Sequence, residues 1–493
     1  MKRTSYMFII LLLFCTNFVQ GQQNNQISLT INKAIDIARK QSPQITVARH
    51  SFRSSYWNYC YFKANYLPSL AFSSTPNFNH SINVINMPDG TSQFIQQNEL
   101  STDGMLSISQ NIALTGGTLS LKSSIQRLDI LGENKNYSYL TNPITISYQQ
   151  SLFGYNKLKW DKKIEPLRFE EAKKEYVELI ELVSTETVRK FFDLTRAQTN
   201  LQIAQTNYAN TDTLYSFAQR RYNIGTITEN DMLQLEVNRL NEESNMLNAQ
   251  IEVDNYTQEL RSYLGITEDI EIEVVLEENT PQFIVDLHKA LYLATNNSPD
   301  IIKMERKKQE SESNVANARA SAGLKADIFA QLGLTQTGEN IRTAYRDPLN
   351  QQYVEIGIRL PILDWGRGKG QIQVAKSNRD MVYTQIKQDK INFELNVTRI
   401  VKQFNLQNNR INVALKTDAT ANRRNEVARK LYILGRSTIL DLNTAISEKD
   451  TAKRNYINAL YNYWSLYYVL RSLTLYDFEK DVTLTEDYEL LLK

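Results

Sequence analysis

Apolar residues recur every three or four positions along several long segments of the chain. They are Leu233, Val237, Leu240, Leu247 and Ile251 in one segment, and Tyr456, Leu460, Tyr463, Tyr467 and Leu470 in another. Glycine and proline, which disfavour helix interiors, are absent from residues 167–224, 226–264, 371–434 and 436–493. Sustained spacings of three and four predict coiled-coil packing along long helices. Polar residues such as Ser244 fill other positions of the first seam, which favours helices that line a wet space.

Between these helical blocks the apolar period changes to two. The apolar positions are Val354, Ile356, Ile358 and Leu360, then Ile144, Ile146, Tyr148 and Leu152, and also Leu106, Ile108, Ile112 and Leu114. Strands with one apolar and one polar face fit a membrane barrel with a wet lumen. They fit a sheet with one solvated face equally well. Aromatic residues at strand ends, such as Phe153, Tyr155 and Trp365, favour the barrel, although core packing is the alternative for any one of them.

The chain contains two copies of a large unit. AIDIARKQSPQI at 34–45 is echoed by ALYLATNNSPDI at 290–301, and AQRRYNIGTITEND at 218–231 by ARKLYILGRSTILD at 428–441. The offset between the copies falls from 256 to 210, so the first copy holds 46 residues that the second lacks. They fall between about residues 80 and 143, and they include a predicted tight turn at Thr115-Gly116-Gly117. The pattern predicts four strands in the first copy and two in the second.

The amino-terminal segment has the features of a signal peptide. Lys2 and Arg3 precede the apolar run at 7–15, and a small residue, Gly21, follows a polar stretch. The apolar run is too short for a membrane-spanning helix, which needs roughly 20 residues. We therefore expect residues 1–21 to be removed on export.

Composition argues against several classes of function. Without Lys2 and Arg3 the formal charge falls from +2 to about zero, so neither nucleic acid nor another polyanion is indicated as a partner. Cys60 is the single cysteine beyond residue 21, which excludes an intrachain disulfide. The three histidines are scattered, and the glycine-rich stretch WGRGKGQ lacks the ending of a nucleotide-binding loop. The sequence therefore predicts no enzyme, no cofactor and no metal site.

In their order and duplication these features resemble the outer membrane efflux proteins, the TolC-like channel-tunnels. The resemblance covers about residues 28–475. It is carried by the Ala-x-x-x-Ala-x-x-x-Ser-Pro starts at Ala34 and Ala290, the Tyr-x-x-Gly…Thr-x-x-Asp turns at Tyr222 and Tyr432, and the joints QQSLFGYNKLKW (149–160) and LPILDWGRGKGQ (360–371).

The resemblance implies a mainly α fold with a transmembrane β-barrel. Each unit would combine long coiled-coil helical hairpins with strand hairpins, and a trimer would form one barrel and an α-helical periplasmic tunnel. The first repeat would span 22–280, with helices at 30–67 and 157–264 and strands within 68–153. The second would span 281–493, with helices at 284–322 and 366–475 and strands within 325–362. Four strands per protomer is usual in the family, so the surplus would either enlarge the barrel or pack where barrel and tunnel meet.

The same resemblance implies a function, a location and partners. The chain would be the channel component of a tripartite export system, embedded in outer-membrane lipid and extending into the periplasm. As a homotrimer it would be a passive duct for small molecules, driven by an inner-membrane pump through a periplasmic adaptor. A type I protein secretion outlet is an alternative that the sequence does not separate from efflux. A non-channel periplasmic coiled-coil scaffold explains the helices but not the matched strand blocks.

By resemblance, Gly225 and Gly435 mark the periplasmic turns of the two helical hairpins. Family members carry acidic residues just past the second turn that narrow the entrance and attract cations, and Asp441 stands at that place. Thr444 stands where a second aspartate is common, so Glu229 and Asp231 of the first copy are candidates to supply charge. The alternative is that the aspartates only stabilise the first turn of a helix through its dipole.

Exposed residues of both turns are candidates for docking the adaptor, and solvated turn residues are the alternative for each. They are Asn223, Ile224, Gly225, Thr226 and Ile227 in the first copy, and Leu434, Gly435, Arg436 and Ser437 in the second.

Overall fold

The structure of the chain is a computed structural model that describes residues 26–88, 90–132, 135–268, 270–277 and 279–492. The predicted signal peptide at 1–21 lies outside the described residues. The α-helices are α1 (Ile31–Gln41), α2 (Pro43–Ala64), α3 (Lys157–Asn223), α4 (Glu229–Leu264), α5 (Leu287–Asn297), α6 (Pro299–Ala322), α7 (Ile341–Ala344), α8 (Arg367–Asn405), α9 (Gln407–Ile433) and α10 (Ile439–Thr474). The strands are β1 (Gln26–Leu29), β2 (Ser69–Ser73), β3 (Asn77–Asn86), β4 (Ser92–Ile112), β5 (Gly117–Ile130), β6 (Asn136–Ser151), β7 (Glu271–Val274), β8 (Lys325–Gly338), β9 (Leu349–Arg359), β10 (Tyr476–Asp477) and β11 (Val482–Thr483).

Long helices and strand hairpins dominate the chain, as the two apolar periods predict. The 67 residues of α3 correspond to a length of about 100 Å at about 1.5 Å per residue. Among the described residues, no helix combines the length and apolar character needed to cross a membrane. The helix predicted at 366–475 breaks at Leu406 as well as at its turn, and Leu406 makes no side-chain cap to the helix that follows.

The Ser-Pro step repeated in the sequence is a helix boundary in both copies. Ser42 follows α1 and Ser298 follows α5, each with extended backbone at ψ 147° and 136°. Proline excludes the helical conformation from the residue before it, which ends the helix there. The Ser42 hydroxyl then accepts the N–H of Ile45 at 3.2 Å in the next helix. The predicted helices at 30–67 and 284–322 are therefore two helices each.

One compact unit comprises the described residues up to Phe52 together with 173–298 and 392–493. Its core is aromatic, and the seam predicted on α10 is buried. The five side chains of this seam are at most 4% exposed, and they are Tyr456, Leu460, Tyr463, Tyr467 and Leu470. Phe404 of α8 packs on Tyr463 with ring centroids 5.3 Å apart. The short strands β1 and β7 pair in parallel in the same unit.

The seam on α4 has the opposite environment. Its five apolar side chains are 46–59% exposed in the protomer, and they are Leu233, Val237, Leu240, Leu247 and Ile251. The helical period therefore located an apolar stripe correctly, but the described residues leave about half of its surface uncovered.

A buried ionic cluster joins three helices to the short strand β10. Arg471 of α10 donates from Nε to Glu181 of α3 at 2.7 Å and also pairs with Asp477 of β10. Arg39 of α1 contacts the same Glu181 at 2.7 Å. The side chains of Glu181 and Asp477 are 3% and 2% exposed, whereas that of Arg39 is 29% exposed. Arg471 therefore holds two carboxylates that have little access to water.

The second compact unit comprises residues 53–172 and 299–391. It contains an antiparallel sheet in the order β2-β4-β5-β6-β8-β9, and β3 also pairs with β4. The helical part is held by stacking of Tyr59 on Phe169, with centroids 4.5 Å apart, and by an ion pair between Arg306 and Glu171. The predicted turn is present between β4 and β5, where Gly116 has φ +78°.

The first copy contains five strands within 69–151, where four were predicted. β2 and β3 run along one edge of the long strand β4, and residues 74–76 separate them. Pro76 has no N–H to donate to a ladder, which ends the pairing there. Asp103 of β4 bridges the gap, because its carbonyl accepts the Ser74 hydroxyl at 2.6 Å and its carboxylate accepts the N–H of Thr75 at 3.0 Å. The predicted first strand is thus one interrupted strand.

Candidate channel entrance at the two helical hairpin turns

The turn between α3 and α4 is built from local hydrogen bonds. Gly225 has φ +69°, a conformation that glycine adopts without steric cost. Its N–H donates to the carbonyl of Tyr222 at 2.8 Å, and the N–H of Thr226 donates to that of Arg221 at 2.9 Å. This pair of bonds is a Schellman motif, which satisfies carbonyls left free at a helix end.

The next helix begins with a reciprocal capping box. The Thr228 hydroxyl accepts the N–H of Asp231 at 3.2 Å, and the Asp231 carboxylate accepts the N–H of Thr228 at 3.2 Å. Two donors that the first turn of a helix leaves free are satisfied in this way. The Thr-x-x-Asp motif of the sequence is therefore a helix start.

The turn between α9 and α10 repeats the same construction. Gly435 has φ +71° and donates to Tyr432 at 3.0 Å, while Arg436 donates to Leu431 at 2.9 Å. Thr438 and Asp441 form the second capping box, with backbone-to-side-chain bonds of 3.1 and 3.2 Å. Both aspartates therefore stabilise the first turn of a helix, which is the alternative role that the sequence analysis gave them. It does not exclude a further role, because a capping carboxylate on an exposed turn keeps its charge.

The two hairpin turns share a groove of about 390 Å³. Its lining residues include Phe217, Arg221, Asp231 and Leu235 of the first hairpin and Tyr432, Gly435 and Ser437 of the second. Burial raises the pKa of Tyr432, Arg221 opposes that shift, and Asp231 adds to it. The groove therefore brings a predicted site residue of one copy, Asp231, against a neutral phenol of the other copy.

Asp441 and Thr444 lie outside that groove lining and are exposed. Hydrogen bonds from the Thr438 side chain and backbone, with further help from Ser437 and the charge of Arg424, hold the pKa of Asp441 below its ordinary value. Asp441 is therefore an anion throughout the neutral range. The Thr444 hydroxyl donates to the carbonyl of Leu440 at 2.8 Å, so it is engaged with its own helix. Glu229 is exposed in the first turn of α4.

Several docking candidates are exposed apolar side chains. Ile224 is 73% exposed and Leu434 is 67% exposed, at matching places in the two turns. Thr226 and Arg436 are exposed as well, and their backbone N–H groups complete the Schellman motifs. Leu440, which the sequence analysis did not single out, is 72% exposed one residue before Asp441. Sequence reasoning also missed Phe217, Arg221 and Leu235, because a groove between hairpins depends on tertiary packing.

Comparison with known proteins decides the family. The model of the family described as outer membrane efflux protein matches residues 34–266 and 290–474, which is most of the chain and both copies. The chain belongs to the outer membrane efflux protein family. It is accordingly a non-enzymatic, TolC-like outer-membrane efflux channel that extends into the periplasm and works in tripartite efflux systems. No curated protein sequence matches the chain at a significant level.

Solved structures of channel proteins share the fold of this efflux protein. The outer membrane channel CmeC of Campylobacter jejuni matches with a TM-score of 0.67 at 16% identity, covering 93% of this chain and 88% of that one. The outer membrane protein VceC of Vibrio cholerae matches at 0.63 and 15% identity, covering 90% and 95%. The open state of MtrE of Neisseria gonorrhoeae matches at 0.59 and 15% identity, covering 90% and 88%. The likeness concerns the fold, and it spans nearly the whole chain.

Proposed function

We propose that three copies of the chain assemble around one axis into a passive duct for small molecules. The exposed stripe on α4 supports this, because an apolar row with regular spacings of three and four is a surface that another helix covers. The sheet supports it as well, since its strands have exposed apolar side chains on one face, as expected for contact with lipid. Substrate movement would be driven by an inner-membrane pump acting through a periplasmic adaptor.

The two hairpin turns form the periplasmic entrance in this proposal. With three protomers, six turns would surround the axis, and Asp441 would form a ring of three carboxylates. A ring of like charges raises the local concentration of cations and disfavours anions. Asp231 and Glu229 of the first copy add negative charge nearby, and Thr444 contributes a neutral polar rim. The observation that carries the proposal is the exposed, ionised Asp441 in the capping box that begins α10.

The same turns dock the adaptor, with the apolar side chains of Ile224 and Leu434 as the main contacts. The surrounding backbone and polar contacts would come from the neighbouring turn residues, which are Gly225, Thr226, Gly435 and Arg436. Exposed apolar residues ringed by polar ones are typical of protein interaction sites. Arg436 is the residue with which an acidic side chain of the adaptor would pair.

Single-channel recording in planar bilayers tests the entrance ring. We expect Asp441→Asn to reduce the preference for cations, because the substitution removes three charges and preserves side-chain size. Asp231→Asn is the matched comparison and should reduce the preference less, since Asp231 occupies the same capping position in the other copy but lines the groove between hairpins. Unchanged ion preference in the Asp441 variant, or an equal loss in both variants, would contradict the proposed ring.

Cysteine cross-linking tests the assembly and the docking surface separately. In a Cys60→Ser background, a cysteine at Val237 on the α4 stripe, treated with a maleimide–succinimide cross-linker, should couple each chain to a lysine of its neighbour and give products up to trimers. Replacing Ile224 and Leu434 by aspartate should abolish adaptor co-purification and leave those trimers intact. Retention of the adaptor by that double variant would refute docking at the turns.

A further inference from the structure

We propose that each protomer contributes six strands, not four, to the wall of the membrane channel, so that the trimer closes an eighteen-stranded barrel. The total of eighteen rests on the trimer of the proposed function, whereas the six strands per protomer rest on the sheet itself. β2 and β8 each follow the short helices that open a repeat, and β6 and β9 each precede a long helix. The strands β4 and β5 have no counterpart in the second copy and are the additional pair.

The additional pair is a full member of the sheet. β4 pairs with β5 without interruption from Glu99 opposite Ile130 to Ile112 opposite Gly117. β5 then pairs with β6 from Thr118 to Ile130, with one register shift between Lys122 and Ser124. A hairpin packed at the junction of barrel and tunnel would leave β2 beside β6, but β4 and β5 separate them. The insertion therefore widens the sheet by two strands.

An apolar band crosses the inserted strands in register with the rest of the sheet. One row runs from Leu70 on β2 through Ile108, Leu121 and Ile146 to Leu332 on β8. These five side chains are 66, 40, 38, 48 and 58% exposed. Residues directly opposite in a sheet share a face, so β4 and β5 present the same apolar surface as the strands that flank them. Lipid contact is the environment that such a continuous exposed band suits.

The other face of the inserted strands is polar. The hydroxyls of Ser109 and Ser120 are 3.2 Å apart across β4 and β5, and the Gln126 amide donates to Ser101 at 2.7 Å. Asn142 on β6 continues this face by donating to Ser124 at 3.0 Å. Apolar residues on one face and hydrogen-bonded polar residues on the other match a wall between lipid and a wet lumen.

The two edges of the sheet fit a second copy of the same chain. Among the described residues, β9 pairs only with β8, and β2 and β3 pair only with β4. An exposed edge is a template for another strand, and closure into a ring removes it. Six strands alternate in direction, so β9 runs opposite to β2 and would meet β2 of the next copy in an antiparallel pair. An even number of strands per protomer is what a fully antiparallel ring of identical chains requires.

The additional pair changes the size of the exit. With strands about 4.8 Å apart and tilted by about 40°, twelve strands give a backbone diameter of about 24 Å and eighteen give about 36 Å. Side chains of the polar face occupy part of this width. The membrane exit would then be half as wide again as that of a twelve-stranded relative.

Lipid quenching of site-specific fluorophores tests the position of the inserted strands. In a Cys60→Ser background, single cysteines at Leu106 and Leu121 are labelled with bimane and reconstituted in vesicles of brominated phosphatidylcholine. Both positions should be quenched as strongly as a label at Ile356 on β9, which belongs to the wall in either arrangement. Labels at Ser107 and Ser120 should escape the lipid quencher and respond to aqueous iodide.

The proposal is overturned if Leu106 and Leu121 escape quenching while the Ile356 control is quenched. Electron cryomicroscopy of the unsubstituted full chain, viewed along the axis, counts strands without any variant, and twelve strands in a trimer would overturn it as well. Native mass spectrometry of the same sample gives the number of protomers. A count other than three would refute the proposed trimer and leave the six strands per protomer standing, so the two failures are distinguishable.

Discussion

Replacing Arg471 should strongly destabilise the end of α10 and the turn that follows it. The Arg471 side chain is only 10% exposed and lies between Glu181 and Asp477. Burial alone lowers the pKa of Arg471, but hydrogen bonding and charge from Glu181 outweigh it, so the pKa is raised and the group stays cationic. Arg471→Met keeps much of the volume and leaves Asp477 buried without its cation.

The magnitude follows from the burial of the two carboxylates. Removing one partner of a buried ion pair costs about 3–5 kcal/mol, because an uncompensated charge remains. Glu181 keeps Arg39, so most of the cost falls on Asp477, which also accepts the N–H groups of Glu479 and Lys480 at 3.0 and 3.2 Å. We therefore expect the local free energy of opening to fall by about 3 kcal/mol, which corresponds to amide exchange about 150-fold faster.

Hydrogen–deuterium exchange of residues 471–483 in the detergent-solubilised protein measures this change, since exchange reports local opening. Arg39→Met is the matched control, because Arg39 is more exposed and its loss leaves Glu181 paired with Arg471. The control should accelerate exchange less than about tenfold, as expected for a partly exposed pair worth about 1 kcal/mol. Equal acceleration in the two variants, or less than tenfold acceleration in Arg471→Met, would refute the reasoning.

Three further predictions concern the entrance and the sheet. Because the pKa of Asp441 lies below its ordinary 3.8, its charge and any cation preference that depends on it should persist from pH 7.5 to pH 5 in bilayer recordings and be lost only as the pH falls through that lowered pKa. Gly225→Ala should lower local stability by about 1–2 kcal/mol because of the positive φ alone, since the added Cβ meets nothing within 4 Å. Gly225→Asn should lower it less, and amide exchange at the turn measures both changes. Gly117→Ala should impair formation of heat-modifiable oligomers on gels because its Cβ would lie 2.8 Å from the carbonyl oxygen of Gln149, whereas Gly357→Ala, with open space around it, should behave as wild type.

Local sequence signals predicted the features that local hydrogen bonds determine. The Tyr-x-x-Gly and Thr-x-x-Asp motifs predicted the two hairpin turns, and the structure has a Schellman motif and a capping box at each. The Thr115-Gly116-Gly117 turn was predictable for the same reason. Period two also located the strands, because the side chains of a strand alternate between faces whatever its partners are.

Features that depend on partners were beyond the sequence pattern. The stripe at Leu233 and the stripe at Tyr456 have the same period, and only polar residues such as Ser244 distinguished the first, which is half-exposed in the protomer while the second is buried. The break at Leu406 has no glycine or proline to announce it. The interruption at Pro76 did have a signal, and weighting that proline more heavily would have divided the first strand. The groove that brings Asp231 to Tyr432 joins residues about 200 positions apart, a distance that no motif spans.

The local hydrogen bonding of both hairpin turns has a mechanical consequence. At each turn the Schellman motif and the capping box form among neighbouring residues, from Arg221 to Asp231 in one hairpin and from Leu431 to Asp441 in the other. A hairpin end could therefore swing away from its neighbour as a rigid lever without losing any of these backbone hydrogen bonds. In the proposed entrance, the work of widening would be done against side-chain contacts in the groove, such as those of Tyr432. Substitutions at those contacts would then change the ease of opening.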